Sequence, residues 1–189
     1  MSITIKNSDT HPITVDFIEC EKLKPRGRLG LTFAPGKKRL CSNSGPWDRD
    51  VDKDLNILRD CYKTDLLVSL LEEHEFRVLG VPALLNRAEE YGIQVIWFPI
   101  AGRSVPMALK EFAVLVQRII NAMCSGKTTV IHCMGGMGRT GLVAASCLVA
   151  ATELTPQEAI AIVRRMRPGS IETTEQEEYV SKFQMFLKN

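Results

Sequence analysis

From Val130 to Thr140 the chain reads Val-Ile-His-Cys-Met-Gly-Gly-Met-Gly-Arg-Thr. A β-branched run delivers Cys133 into a glycine-rich turn, and Arg139 follows six positions later. These residue types at this spacing make a nucleophile inside a cradle for a tetrahedral oxyanion. Gly135, Gly136 and Gly138 let the backbone take positive φ and approach closely, so that the N–H groups of Met134, Gly135, Gly136, Met137 and Gly138 can converge on one anion. A helix expected to begin near Arg139 adds its positive end. Surroundings of this kind favour a thiolate over a thiol. With Cys133 at a strand end and Arg139 in the first helical turn, the intervening residues wrap around a phosphate, and the guanidinium can bind two of its oxygens. Thr140 can place a hydroxyl under the sulfur, and the His132 ring can fix the turn by bonding to backbone. The other readings are a buried structural cysteine or a dinucleotide loop; the latter would want Gly-x-Gly-x-x-Gly and an acidic residue downstream. The chemistry expected is phosphomonoester hydrolysis through a cysteinyl-phosphate. Arg139 and the amides supply the positive charge, so no metal or other cofactor is called for.

Such a turn needs a strand to enter it and a helix to leave it, and the flanking sequence offers both. Thr128–Cys133 reads as a strand, and Gly141–Ala151 is apolar nearly all round, as a central buried helix is. Upstream, Ile13, Val15 and Phe17 alternate, as do Leu29, Leu31 and Phe33 before Pro35-Gly36, giving short strands at an antiparallel sheet edge. Val51, Leu55, Leu58 and Cys61 recur at helical spacing and predict a helix over Asp50–Tyr62. A strand over Asp65–Leu71, a helix over Val81–Tyr91 stopped by Gly92, and a strand over Ile93–Ile100 follow. Pro106 suits a first helical position, ahead of an apolar stripe from Leu109 to Cys124. Thr155-Pro156-Gln157-Glu158 is a capping box for a helix that should stop at Arg167, before Pro168-Gly169; Thr174 with Glu177 caps the last helix. This alternation predicts an α/β fold with a mostly parallel central sheet flanked by helices and N-terminal antiparallel edge strands, and in such sheets ligands sit at the carboxyl ends of the strands, where Cys133 lies.

At 189 residues and 45% hydrophobic content the chain suits one domain. An N-terminal extension over about 1–48 would precede a catalytic core over about 49–189. The net charge of +2 implies no general affinity for polyanions, so neither nucleic-acid binding nor a membrane surface is expected. Basic residues do cluster: Lys22, Lys24, Arg26 and Arg28; Lys37, Lys38 and Arg39; Arg164, Arg165 and Arg167. Each reads as a solvated face, and any that reaches the rim of the turn would favour phosphorylated substrates. The six cysteines show no metal-ligand spacing. A catalytic thiolate must stay reduced, which points to the cytoplasm; Cys61 or Cys41 could pair with Cys133 after oxidation. No signal peptide or membrane span is expected.

His-Cys-x5-Arg-Thr resembles the signature of the cysteine-dependent protein tyrosine and dual-specificity phosphatases, and the run from about Asp54 to Tyr179 resembles their kinase-associated phosphatase branch. Matching pieces are Leu79-Gly80-Val81-Pro82, Phe98-Pro99-Ile100-Ala101, the turn itself, and Ile171-Glu172-Thr173 leading to Gln176. The resemblance implies a phosphoprotein substrate, with a kinase as one such partner, and a glutamine, Gln176, near the attacking water. It also implies an aspartate after Phe98-Pro99-Ile100-Ala101 to protonate the leaving oxygen, where this chain has Gly102. General acids contribute about 10²–10⁴ in rate, so this departure should tell most on serine and threonine phosphates. Another carboxylate, Glu73 or Glu75 in an otherwise solvated loop, could supply the proton. Alternatively the substrate has a good leaving group, as in polyphosphate, an RNA 5′-triphosphate or a phosphoinositide, or glycine replaces an original aspartate. A weakly catalytic phosphoprotein-binding module is the reading from outside enzymology.

Overall fold

The computed structural model describes residues 5–22, 26–39 and 45–189. In chain order the elements are β1 (Asp16–Phe17), β2 (Arg28–Phe33), β3 (Lys38–Arg39), β4 (Trp47–Asp48), α1 (Val51–Asp60), β5 (Thr64–Ser69), α2 (Glu73–Val78), α3 (Leu84–Glu90), β6 (Gln94–Trp97), α4 (Leu109–Cys124), β7 (Thr128–Cys133), α5 (Gly138–Ala151), α6 (Pro156–Met166) and α7 (Thr174–Lys188). The main sheet runs β1-β2-β7-β5-β6, and β3 pairs with β4 beside it. Within the main sheet only β1 is antiparallel to its neighbour, while β2, β7, β5 and β6 run parallel; the β3–β4 pair is antiparallel. The fold is therefore mixed α/β with a mostly parallel sheet, and its antiparallel pairing is confined to the outermost strand.

Alternation along the strands divides the core between two faces. Leu66, Val68, Ile131 and Cys133 join residues of α4, α5, α6 and α7 on one side. Leu67 and Val130 join residues of α1, α2 and α3 on the other. Helix α5 packs against α4, α6 and α7 as well as the sheet, so Leu142 to Val149 are all buried, in keeping with a stretch that is apolar except for Ser146.

The structure revises several boundaries. Asp50 caps α1 by accepting from the N–H groups of Asp52 and Lys53, and Thr155 and Glu158 form the expected capping box at α6. Helix α4 starts at Leu109 with Ala108 as its cap, so Pro106 precedes the helix instead of opening it. The cap of α7 is Thr173, which accepts from Gln176 N–H, one residue before the expected Thr174. The Glu72–Glu75 stretch, read as a solvated loop, begins α2: the Glu75 side chain accepts from Glu72 N–H at 2.8 Å and satisfies one of the helix's orphan donors. Strand β2 sits inside the sheet between β1 and β7, so a core drawn from about residue 49 omits one of its internal strands.

Candidate active site

Cys133 is the last residue of β7, 4% exposed, at the carboxyl end of the parallel strands. Every carbonyl of the turn that follows is drawn outward. Met134 O accepts from Ala34 N–H at 3.3 Å, Gly135 O from Arg167 Nη2 at 3.2 Å, Gly136 O from Arg167 Nε at 2.6 Å, and Met137 O from Gly141 N–H at 2.9 Å. In a trans peptide the N–H points opposite the C=O of the same unit. The N–H groups of Gly135, Gly136, Met137 and Gly138 are therefore turned inward. Gly136 N–H reaches Cys133 Sγ at 3.2 Å, and Gly138 N–H reaches Glu172 Oε2 at 3.0 Å. A carboxylate oxygen of the protein thus occupies one of the donors that a phosphate would use.

Gly136 is required here, and Gly138 gives Glu172 room to approach. Gly136 has φ +71°, and a Cβ on it would lie 2.2 Å from Thr32 O. A Cβ on Gly138 would lie 2.5 Å from Glu172 Oε2. Helix α5 starts at Gly138, so its positive end meets the bowl.

Arg139 is 5% exposed and is aimed by a carboxylate far away in sequence. Its Nη1 donates to Glu75 Oε2 at 2.6 Å, Ile100 O at 2.8 Å and Leu70 O at 3.2 Å, and its Nη2 donates to Glu75 Oε1 at 2.9 Å. Nε carries no hydrogen bond to any described residue, and Cys133 lies near enough to the guanidinium to join Glu75 in raising the Arg139 pKa against the effect of burial. Burial alone would push the Glu75 carboxyl up, but the Arg139 guanidinium and Glu72 N–H outweigh it and hold its pKa below the usual glutamate value. Glu75 is therefore an ionised positioning group and not the spare proton donor the sequence offered. Glu73 is exposed in the first turn of α2.

The remaining expected residues lie as follows. His132 is fully buried, its Nδ1 lies 3.3 Å from Cys133 O, and burial lowers its pKa to about 4, so the ring is neutral near pH 7. Thr140 Oγ1 is buried and bonds to nothing, so its hydroxyl does not support the sulfur in this structure. Gln176 is wholly buried: Oε1 accepts from Glu172 N–H at 2.9 Å and Nε2 donates to Ser104 O at 3.2 Å. Its amide ties the Glu172 turn to the segment carrying Gly102, and Glu172 is the side chain that faces the bowl. Gly102 itself is exposed, its N–H reaching Glu72 Oε2 at 3.3 Å. Ile171, just before Glu172, holds φ +60°, rare for a β-branched residue; Arg164 Nη2 pins its carbonyl at 2.9 Å.

Cys61 caps α1 three residues before Thr64, and Thr64 is in register with Thr128 at the far end of β7. Six strand residues at about 3.3 Å each separate the two thiols' ends of the sheet, so Cys61 cannot bridge Cys133. Cys41 lies outside the described residues. Among the described residues no helix is long and apolar enough to cross a membrane.

Sequence reasoning offered Glu75 only as a substitute proton donor in an otherwise solvated loop, not as the partner of Arg139, and gave Arg167 and Glu172 no role in the site. Arg167 was visible only as one of a basic trio. Their partners are remote in sequence, so no local pattern marks them.

Comparison with known proteins agrees with this geometry. Residues 4–160 match the family model for cyclin-dependent kinase inhibitor 3 (CDKN3). The human cyclin-dependent kinase inhibitor 3 is 29% identical over 174 residues, covering 91% of this chain and 79% of that protein. The crystal structure of a kinase-associated phosphatase with its catalytic cysteine replaced by serine superposes with a TM-score of 0.85 at 27% identity, covering 93% of this chain and 96% of that one. The structure of Tk-PTP in its active form gives 0.71 at 27% identity, covering 90% and 96%. On the family match over residues 4–160, this chain belongs to the cyclin-dependent kinase inhibitor 3 family of cysteine-dependent protein phosphatases.

Proposed function

We propose that the chain removes phosphate from a phosphorylated side chain of a protein through a cysteinyl-phosphate on Cys133, and that a kinase is among its substrates. The observation that carries the chemistry is the outward fixation of the carbonyls of residues 134–137, which commits the intervening amides to one centre. A phosphoryl group entering the bowl takes the Gly138 amide from Glu172. Cys133 Sγ forms a bond to phosphorus as the ester P–O bond breaks, while the amides and the free edge of Arg139 hold the equatorial oxygens. Water then attacks phosphorus, the S–P bond breaks, and the thiolate is restored. The name of the human relative, cyclin-dependent kinase inhibitor 3, supports a kinase partner.

Cys133→Ser should bind vanadate or a phosphopeptide and turn over nothing, and chelators should leave the unmodified enzyme's activity unchanged. Hydrolysis of phosphotyrosine peptide, phosphothreonine peptide and a nucleoside triphosphate by the purified chain tests the substrate class. A preference for the nucleotide would move the reading to the non-protein phosphates that Gly102 suggests, and a strict requirement for a divalent metal would refute the mechanism.

A further inference from the structure

Buried cations in this protein are answered by anions, with one exception among the described residues. Arg49 pairs with Asp54 and Arg139 with Glu75, and the partly buried Arg167 likewise pairs with Asp16. Lys37 is 8% exposed, yet its ammonium meets no carboxylate and donates no hydrogen bond to a described residue. It lies instead over the Phe33 ring at 4.4 Å and the Trp47 ring at 4.7 Å. The Arg49 guanidinium lies over the same two rings, at 4.8 and 5.4 Å. Burial first, then repulsion from Arg49, Arg167 and Arg39, lowers the Lys37 pKa to about 8, and Cys133 is the neighbour that pulls the other way. Ring faces attract a cation but do not neutralise it, and an unpaired charge with little access to water is costly.

This unbalanced charge stands beside the phosphate bowl. Phe33 is in register with Cys133 on the adjoining strand, and Ala34 N–H bonds Met134 O, so the 34–37 segment leaves β2 along the wall of the turn. Arg39 lies against Met134 Sδ on the same wall, and Arg167 holds the carbonyls of Gly135 and Gly136. A clustering of positive charge with a buried, unanswered member is the electrostatic form of a site made for an anion.

We propose that Lys37, supported by Arg39, forms a second anion subsite next to the phosphate bowl, which accepts an acidic or phosphorylated residue flanking the phosphoresidue of a peptide substrate. The subsite rests on the reading of the chain as a protein phosphatase. Two peptides with the same phosphorylated residue, one carrying a neighbouring phosphoserine and the other alanine, provide the probe, with a small aryl phosphate as control. A charge-assisted bond to the second phosphate should raise kcat/KM for the doubly phosphorylated peptide by about tenfold. Lys37→Met keeps the aliphatic stem and should bring the two peptides to parity while leaving aryl phosphate turnover within about twofold. Arg39→Gln, at an exposed position, should lower the same ratio by a smaller factor and keeps the test alive if Lys37→Met does not fold.

Equal rates on the two peptides by the unmodified enzyme would overturn the subsite alone. An equal loss by Lys37→Met on all three substrates would also overturn it and assign the ammonium to the sulfur. An enzyme that cleaves aryl phosphate but neither peptide would instead remove the protein-phosphatase reading beneath it.

Discussion

Arg49 and Arg139 are both buried and both bound in parallel by one carboxylate, but they differ in what remains of the fork. Around Arg49 every nitrogen of the fork is engaged. Nε and Nη2 go to Asp54, Nη1 goes to His11 O at 2.6 Å, and Asp54 also accepts from Ser8 Oγ and Gly36 N–H. That pair fastens the N-terminal segment to α1. Around Arg139 the bonds to Glu75, Leu70 O and Ile100 O all use Nη1 and Nη2, leaving Nε without a bond to a described residue, with Cys133 near the guanidinium. A saturated arginine holds chain segments together, whereas one saturated on a single side is a pre-aimed ligand. The difference lies in which nitrogens of the fork the acceptor oxygens occupy, not in burial.

The largest effects should come from breaking each pair at its carboxylate. Asp54→Asn should cost about 3–5 kcal/mol of stability, because it leaves a buried guanidinium uncompensated. Its turnover per folded molecule should stay within about twofold of the unmodified enzyme, as for other changes remote from the chemistry. Glu75→Gln should lose comparable stability and, in addition, about 10²–10³ in kcat/KM, as when a preorganised oxyanion donor is misplaced. Denaturant unfolding and steady-state kinetics on the same preparations separate the two outcomes, and equal kinetic losses would abolish the distinction.

A smaller effect should come from the neighbouring His132. Its folded pKa of about 4 lies below the usual 6.5, so on acidification the unfolded chain takes the proton first. Stability should therefore fall as pH drops from about 6.5 to about 4 and level off below that, a loss of about 3 kcal/mol at most. His132→Asn should flatten this part of the stability profile, measured by urea unfolding across the same range.

The smallest effect should be a gain. Gly102 is exposed, its φ is not positive, and a Cβ there meets nothing within 4 Å. Gly102→Asp should thus fold normally and raise turnover of alkyl phosphates by about tenfold, toward the lower end of what a positioned general acid contributes. Aryl phosphates with good leaving groups should gain less, and no gain on either would show that a missing acid does not limit the rate.

Much of this site was legible because its chemistry is local. Cys133, the glycines and Arg139 fall within seven residues, and the strand before them and the apolar helix after them declare their own periods. What escaped depends on remote partners. Glu75 looked like one charge among several in a loop, because the arginine that buries it lies 64 residues away. Lys37 looked like part of a solvated basic run, since alternation places no mark on a residue that leaves a strand and folds back over Phe33 and Trp47. Strand β2 had the right alternation for an edge but gave no sign that β7 would pair along its other side. Helix boundaries moved where side-chain caps compete, as at Thr173 and Thr174.

The carboxylate of Glu172 gives the bowl a tenant of its own. Four inward amides without an acceptor would repel one another and invite the backbone to flip; the tethered oxygen at Gly138 relieves part of that strain between turnovers. Under the proposed reaction an entering phosphate would displace this carboxylate in place of filling a vacancy, and the carboxylate would return as inorganic phosphate left. Exchange of one anion for another keeps the turn folded throughout the cycle, at the cost of weaker grip on either.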